Sequence, residues 1–311
     1  MNRLFCVVLI ILLFVFGCAS NPGTETKQPS PSPTPAPTMA SPNTEVPAKW
    51  TATEGIDTPE SVYVDSASGF IFSSQIVGMP GERDGNGRIV KLSSDGKVID
   101  ANWVKGLNAP KGLRSANGKL WTADIDEVIG IDIASASVGP RIKIQGAQFL
   151  NDVAAGTDGT VYVTDMMGNK IYAIKDGKAS VFAEGEDLEY PNGLLAENDR
   201  LVVGGWGKPE ADFTTKVPGH LFTLDLKTKK KTLITPNPTA NIDGLESDGK
   251  GGYIVTDYVA GKLLHITAGG DVHMLKQFKA GTADIAFVPA ENLAIIPHMN
   301  ENRIAAYNIS Q

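Results

Sequence analysis

Cysteine is almost missing from this chain. It has two, Cys6 and Cys18, both within the first twenty residues. The remainder can form no disulfide and no Cys-rich metal site. Basic charge is also in short supply, with a formal net charge of −7. That balance lacks the basic footprint of a nucleic-acid binder, so no nucleic-acid partner is expected. Only 20% of residues are charged while 33 are glycine, a composition that suits a turn-rich β-protein. No helix of ordinary length suggests itself after residue 48, and long apolar runs are missing beyond the N-terminus.

The one long apolar run spans residues 4–16, after a single Arg3 and before the small residues Gly17, Ala19 and Ser20. That arrangement is an export signal. It is short for a bilayer span, which needs about 20 apolar residues; the alternative is an uncleaved membrane anchor. Val15-Phe16-Gly17-Cys18 resembles the bacterial lipoprotein cleavage box, with Phe16 where that box usually has a small or aliphatic residue. The resemblance implies a signal peptide over 1–17 and a lipid-carrying Cys18. One acyl chain anchors only marginally, so several are needed. Residues 18–47 then form a Pro/Ser/Thr-rich linker with too little apolar surface to fold. The expected location is the bacterial cell envelope, lipid-anchored and extracytoplasmic. Ala19, rather than Asp, follows the cysteine, which favours the outer membrane in a Gram-negative cell. The globular domain covers 48–311 and is expected to be monomeric.

That domain repeats. Six segments share an opening polar residue, a short apolar strand, a turn and a second apolar strand, and most continue into a third strand and some a fourth. The opening residues are Glu60, Lys111, Asn151, Asn192, Asp243 and Asp284, spaced by 51, 40, 41, 51 and 41 residues. A period of about 40 residues with four short strands is a propeller blade. The expected fold is therefore all-β, a six-bladed β-propeller. The last repeat has room for three strands, and residues 50–53 near the domain start can supply the fourth and close the ring.

In a propeller the innermost strands line the central channel, so the six opening residues converge on one mouth. The set is rich in oxygen donors and has no His or Cys, so zinc and copper are not expected. Oxygen-only ligands suit a hard cation, calcium more readily than magnesium. The alternative is a ring of polar groups making ordinary turn hydrogen bonds. The ends of the second strands should rim the same mouth. Asp165 and His298 belong to that rim, with Trp206 and Tyr258 forming an apolar wall. His298, with an unperturbed pKa near about 6.5, could shuttle protons or simply hold the rim by a hydrogen bond. The two longer spacings place insertions at 77–86 and 208–218, expected to lie over the same face as lids.

Residues 55–309 resemble the calcium-dependent six-bladed propeller superfamily that includes gluconolactonase, regucalcin, the paraoxonases and the squid-type phosphotriesterase. Glu60 matches that family's first-blade metal glutamate. Asn151, in Phe149-Leu150-Asn151-Asp152, matches its third-blade asparagine, a metal ligand in some members and a substrate or water contact in others. Asn192, in Pro191-Asn192-Gly193, matches a metal asparagine. Asp243, in Ile242-Asp243-Gly244, matches a metal aspartate that also acts as general base in lactonases. The resemblance implies Ca2+ as cofactor and hydrolysis of a lactone or related ester. In that scheme Asp243 activates water while Asn151 and Asn192 hold geometry. Three departures stand out: Asp152-Val153 where Asp-Gly is usual, Lys111 in the second blade, and no equivalent of the lactonases' substrate-binding arginine. The alternatives are a non-catalytic propeller lipoprotein that binds a ligand or protein, and a metal with a structural role only.

Overall fold

The computed structural model describes residues 47–309. The signal, Cys18 and the linker as far as residue 46 lie outside the described residues. Six four-stranded antiparallel sheets follow one another along the chain. Strand β1 (Trp50–Ala52) comes first. Blade one is β2 (Pro59–Val64), β3 (Ile71–Gln75), β4 (Gly87–Leu92) and β5 (Val98–Leu107). Blade two is β6 (Pro110–Ala116), β7 (Lys119–Asp124), β8 (Glu127–Asp132) and β9 (Val138–Lys143). Blade three is β10 (Leu150–Ala155), β11 (Val161–Asp165), β12 (Lys170–Lys175) and β13 (Lys178–Glu184). Blade four is β14 (Pro191–Ala196), β15 (Arg200–Gly205), β16 (Leu221–Asp225) and β17 (Lys231–Leu233). Blade five is β18 (Ile242–Ser247), β19 (Tyr253–Asp257), β20 (Lys262–Ile266) and β21 (Val272–Gln277). Blade six is β22 (Ala286–Val288), β23 (Leu293–His298) and β24 (Arg303–Asn308), completed by β1. The fold is thus the expected six-bladed β-propeller. Among the described residues the helices are three-residue 3-10 turns.

Burial follows radius. Every residue of β3, β11 and β19 is buried, whereas β13 and β21 alternate between half-buried and exposed. Second strands can read as continuous apolar runs because neighbouring blades cover both of their faces. The core is accordingly divided into wedges between blades. Phe72, Ile89 and Leu107 of blade one meet Leu113, Leu120 and Ile129 of blade two. Val128 and Ile142 of blade two meet Val153, Val163 and Tyr172 of blade three. The seam between last and first blades is built in the same way, with Ile295 and Ile304 against Val62 and Val90. Ring closure rests on β1, which pairs antiparallel with β24 in the register Trp50↔Ala306 and Ala52↔Ile304. Gly96, at φ +83°, turns the chain beneath Trp50; a Cβ there would lie 2.2 Å from the indole.

The inner strands carry the feature that builds a site. In each of the first five blades the register slips where the inner strand meets the second. The slips fall at Pro59/Ser61, Pro110/Leu113, Leu150/Val153, Pro191/Leu194 and Ile242/Leu245. Each slip brackets one residue of the opening set: Glu60, Lys111, Asn151, Asn192 or Asp243. A bulge places an extra residue opposite one partner and re-aims its side chain. Here it turns a polar side chain out of the sheet and into the channel mouth.

Candidate functional site

The bulges leave backbone amides without a ladder partner, and hydroxyls on the second strands satisfy them. Ser74 Oγ accepts from the Ser61 amide at 3.0 Å, Thr164 Oγ1 from Asp152 at 2.9 Å, and Thr256 Oγ1 from Gly244 at 2.7 Å. The threonines also donate onward to the next blade, Thr164 to the Asn192 carbonyl and Thr256 to the Ala283 carbonyl, each at 3.0 Å. The residue after each opening position sits where adjacent inner strands nearly touch. A Cβ on Gly193 would come within 2.5 Å of the Asp243 carbonyl oxygen, and one on Gly244 within 2.5 Å of the Ile285 nitrogen. That close approach explains the Asn-Gly and Asp-Gly pairs. Blade three departs with Asp152, whose carboxylate accepts from the amides of Val153 and Leu194, both at 2.6 Å.

Five of the six opening residues line one cavity of about 170 Å3: Glu60, Lys111, Asn151, Asn192 and Asp243. All five are buried. Asn192 Nδ2 donates to Asp243 Oδ1 at 2.8 Å. Two acceptor oxygens in this group, Glu60 Oε2 and Asn192 Oδ1, are buried with no hydrogen-bond partner. An unpaired buried acceptor is costly, so two in one cluster call for a donor or a cation. Burial, and then the Asp243 charge, push the Glu60 carboxyl well above its usual range. Burial, and then Asp284, do the same to Asp243. Two oxygen acceptors without donors, beside two carboxylates that resist ionisation, fit a hard cation. Two carboxylates are few, however. Among the described residues no group of three or more His, Cys, Asp or Glu is placed to hold a metal, so the amide oxygens of Asn151 and Asn192 would have to complete the set.

Lys111 is the exception within the cavity. Its Nζ donates to the carbonyls of Ala109 at 2.9 Å and Pro80 at 3.1 Å, and it lies 4.7 Å from the centre of the Phe149 ring. Burial lowers its pKa to about 8 against the opposing pull of Glu60 and Asp124.

Asp284 takes a different path. It does not line the cavity, and its Oδ2 accepts from the Ser61 hydroxyl at 2.6 Å while Oδ1 has no partner. It belongs to a deeper layer of charge. There Arg114 on β6 donates to Glu246 on β18 at 2.8 Å, joining blades two and five across the channel. Burial raises Asp152 in the same layer to about 7, with Arg114 opposing.

Above the polar floor stands an apolar collar. Ile76, Met166, Trp206, Tyr258 and Met299 line the cavity, each one residue past the end of a second strand. The sixth equivalent, Ile125, packs with Ile76, Ala109 and Met299. Trp206 and Tyr258 lie 5.6 Å apart between ring centres. Phe149 and Phe213 meet at 5.9 Å. Both insertions reach the cavity, the first through Pro80 and the second through Asp212 and Phe213. The second is tied down by Trp206 Nε1 donating to the Phe213 carbonyl at 3.0 Å and by Asn241 donating to Thr215 Oγ1 at 2.8 Å. The sequence alone singles out two of these six, Trp206 and Tyr258. The repeat position itself was the signal that finds the other four.

Two rim candidates turn away. Asp165 is fully buried, and its carboxylate accepts from the amides of Phe149 at 2.8 Å and Gln148 at 3.0 Å. It fastens the entry loop of its blade, as Asp124 does with the amides of Ala109 and Asn108. His298 lies outside the cavity lining, its Nε2 paired with the Tyr307 hydroxyl at 3.1 Å and its ring edge-on to Phe278. Burial, and then Arg303, lower its pKa to about 3, so it is neutral at physiological pH. Replacing His298 by Gln is expected to lower stability by about 1–3 kcal/mol through the broken buried pair. The pH profile of any turnover should stay unmoved. Thermal unfolding and a pH–rate series check this, and a shifted profile would restore the shuttle role.

No protein-family model matches the sequence, and no curated protein matches it. Solved structures do. A gluconolactonase from Xanthomonas campestris superposes with a TM-score of 0.60 at 16% identity, covering 81% of this chain and 86% of its own. A catalytically inactive virginiamycin B lyase from Staphylococcus aureus, with quinupristin, gives 0.58 at 14% identity, covering 83% and 97%. A streptogramin B lyase gives 0.56 at 13%, covering 82% and 95%. At these identities the likeness shows the fold: the chain is a propeller of the kind on which bacterial gluconolactonases and streptogramin lyases are built.

Proposed function

We propose that this protein is a calcium-dependent hydrolase of a lactone or related ester. The carrying observation is the pair of orphaned acceptors, Glu60 Oε2 and Asn192 Oδ1, beside Asp243 on the floor of an apolar-walled cavity. Glu60, Asn151, Asn192 and Asp243 would hold the ion. Calcium, when bound, supplies a Lewis acid for the carbonyl oxygen.

The remaining chemistry belongs to the chain. Asn192 donates its amide hydrogen to Asp243 Oδ1 and keeps its own oxygen for the cation, fixing the carboxylate's orientation. Asp243 then takes a proton from a water beside the substrate carbonyl, as a general base. Asn151 orients water or substrate through its amide. The collar of Trp206, Tyr258 and Met299 and the insertion residues Pro80 and Phe213 shelter the reacting centre from bulk water. The protein is proposed to act as a monomeric, lipid-anchored protein of the bacterial envelope, held through Cys18 on the linker ending at residue 47.

The test is a panel of lactones and aryl esters assayed with calcium and after chelation. Turnover that needs calcium supports the reading; no turnover across the panel overturns it. One observation favours a binding propeller instead: the cavity floor offers two carboxylates, Glu60 and Asp243, with Asp212 on the insertion above them, few for a catalytic metal. In that case calcium would persist and a ligand would copurify without being turned over.

A further inference from the structure

We propose that Lys111 makes this cavity selective for a ligand bearing a negative charge, a carboxylate beside an apolar or aromatic body. The inference deepens the hydrolase reading by naming its substrate class, and rests on that reading for the presence of the cation.

Lys111 is 1% exposed, yet it faces the cavity from the second blade. An ammonium has three donors. Two are spent on the carbonyls of Ala109 and Pro80, which leaves one. Among the described residues no carboxylate oxygen lies within the 4.0 Å limit for an ion pair with its Nζ. A buried ammonium held only by carbonyls and an aromatic face lacks a counter-ion in direct contact, and burying an unpaired charge is expensive. Glu60, the carboxylate that pulls most on Lys111, is also a proposed ligand of the cation. A divalent cation engaging Glu60 and Asp243 draws on the same floor carboxylates, and a carboxylate on the ligand would give the Lys111 ammonium a counter-ion in direct contact.

The surroundings fix the rest of the ligand. Lys111 lies against Phe149, which meets Phe213, and the collar continues through Trp206 and Tyr258. The anion would sit at the Lys111 edge with its apolar body along the aromatic wall. Lys111 also grips Pro80 in the first insertion, so an anion at its free donor lies directly under that loop.

The experiment measures equilibrium binding, without turnover. Phenylacetate and its neutral isostere phenylacetamide are titrated into calcium-loaded protein, followed by calorimetry and by the fluorescence of Trp206, one of four tryptophans. Phenylacetate is expected to bind at least about tenfold more tightly, a difference of about 1.4 kcal/mol. Lys111→Met and Lys111→Gln should abolish that preference, each first shown to fold by its thermal transition. Equal binding of the two probes by the unaltered protein overturns the proposal, as does no binding of either. A preference that survives in either folded variant overturns it too. An anion preference that vanishes with Lys111, in a protein that turns over no lactone, supports anion recognition and leaves only the hydrolase reading to fail.

Discussion

Asp243→Asn is expected to lower kcat by about 10²–10⁴-fold, the usual contribution of a positioned general base. The substitution is close to isosteric. Its amide oxygen can still accept the hydrogen bond from Asn192 Nδ2, now 2.8 Å to the carboxylate, so the bulge and the ring should persist. What disappears is the group proposed to take the proton, and with it one negative charge on the proposed cation site. The assay therefore runs at saturating calcium, which separates lost catalysis from weakened metal binding. A second effect runs the other way. Asp243 is the first charge, after burial itself, that disfavours ionised Glu60. Removing it should stabilise the metal-free protein at pH 8 while destroying activity. A variant that keeps activity within about tenfold would remove Asp243 from the chemistry, since general-base losses start near a hundredfold.

Calcium is expected to stabilise the fold far more at pH 8 than at pH 5. The sign follows from the buried carboxyls. Glu60, Asp243 and Asp284 are all held above their ordinary values, by burial first and then by Asp243, Asp284 and Asp152 respectively. Without metal, the folded protein keeps protons there that the unfolded chain releases near pH 4. Stability is then greatest below that unfolded value and is lost as pH rises through the raised folded values. Lys111, lowered by burial to about 8, titrates above that value in the opposite sense. Calcium replaces the missing protons with a fixed positive charge, so its contribution grows as they leave. At a hundredfold excess over Kd it should add about 2.7 kcal/mol, or roughly 5–10 °C in Tm for a domain of this size. At pH 5 protons compete and the shift should shrink. Melting curves with calcium or chelator at both pH values decide it. Equal shifts, or none, would contradict the assignment of Glu60 and Asp243 to a cation.

Much of this was legible in the sequence because propellers are periodic. The opening residues Glu60 through Asp284 marked every blade, and Trp50 announced the closing strand through the three-strand shortfall at the other end. The bulges were not legible. They depend on inter-strand register, yet they are what turn Glu60, Lys111, Asn151, Asn192 and Asp243 into the mouth. Asp284 shows the limit most clearly. It occupies the right repeat position, but the neighbouring inner strand offers it the Ser61 hydroxyl where other blades have Gly112, Gly193 and Gly244. That hydroxyl holds its carboxylate below the floor. Asp165 and His298 misled for a related reason. A polar residue at the end of a second strand can point into the mouth or fasten its own blade, and only packing decides. Asp165 took the amides of its entry loop, and His298 took Tyr307 and the Phe278 ring.

The proposed function turns on a cation on the channel floor, held by oxygens from several blades. A high-resolution crystal structure grown with calcium tests it most directly. The expected map shows one ion contacting Glu60, Asn192 and Asp243 at about 2.3–2.6 Å, with the Lys111 ammonium directed away from it toward Pro80 and Ala109. A floor filled only by water with Glu60 and Asp243 hydrogen-bonded to each other, or the Lys111 ammonium lodged between them, would contradict it.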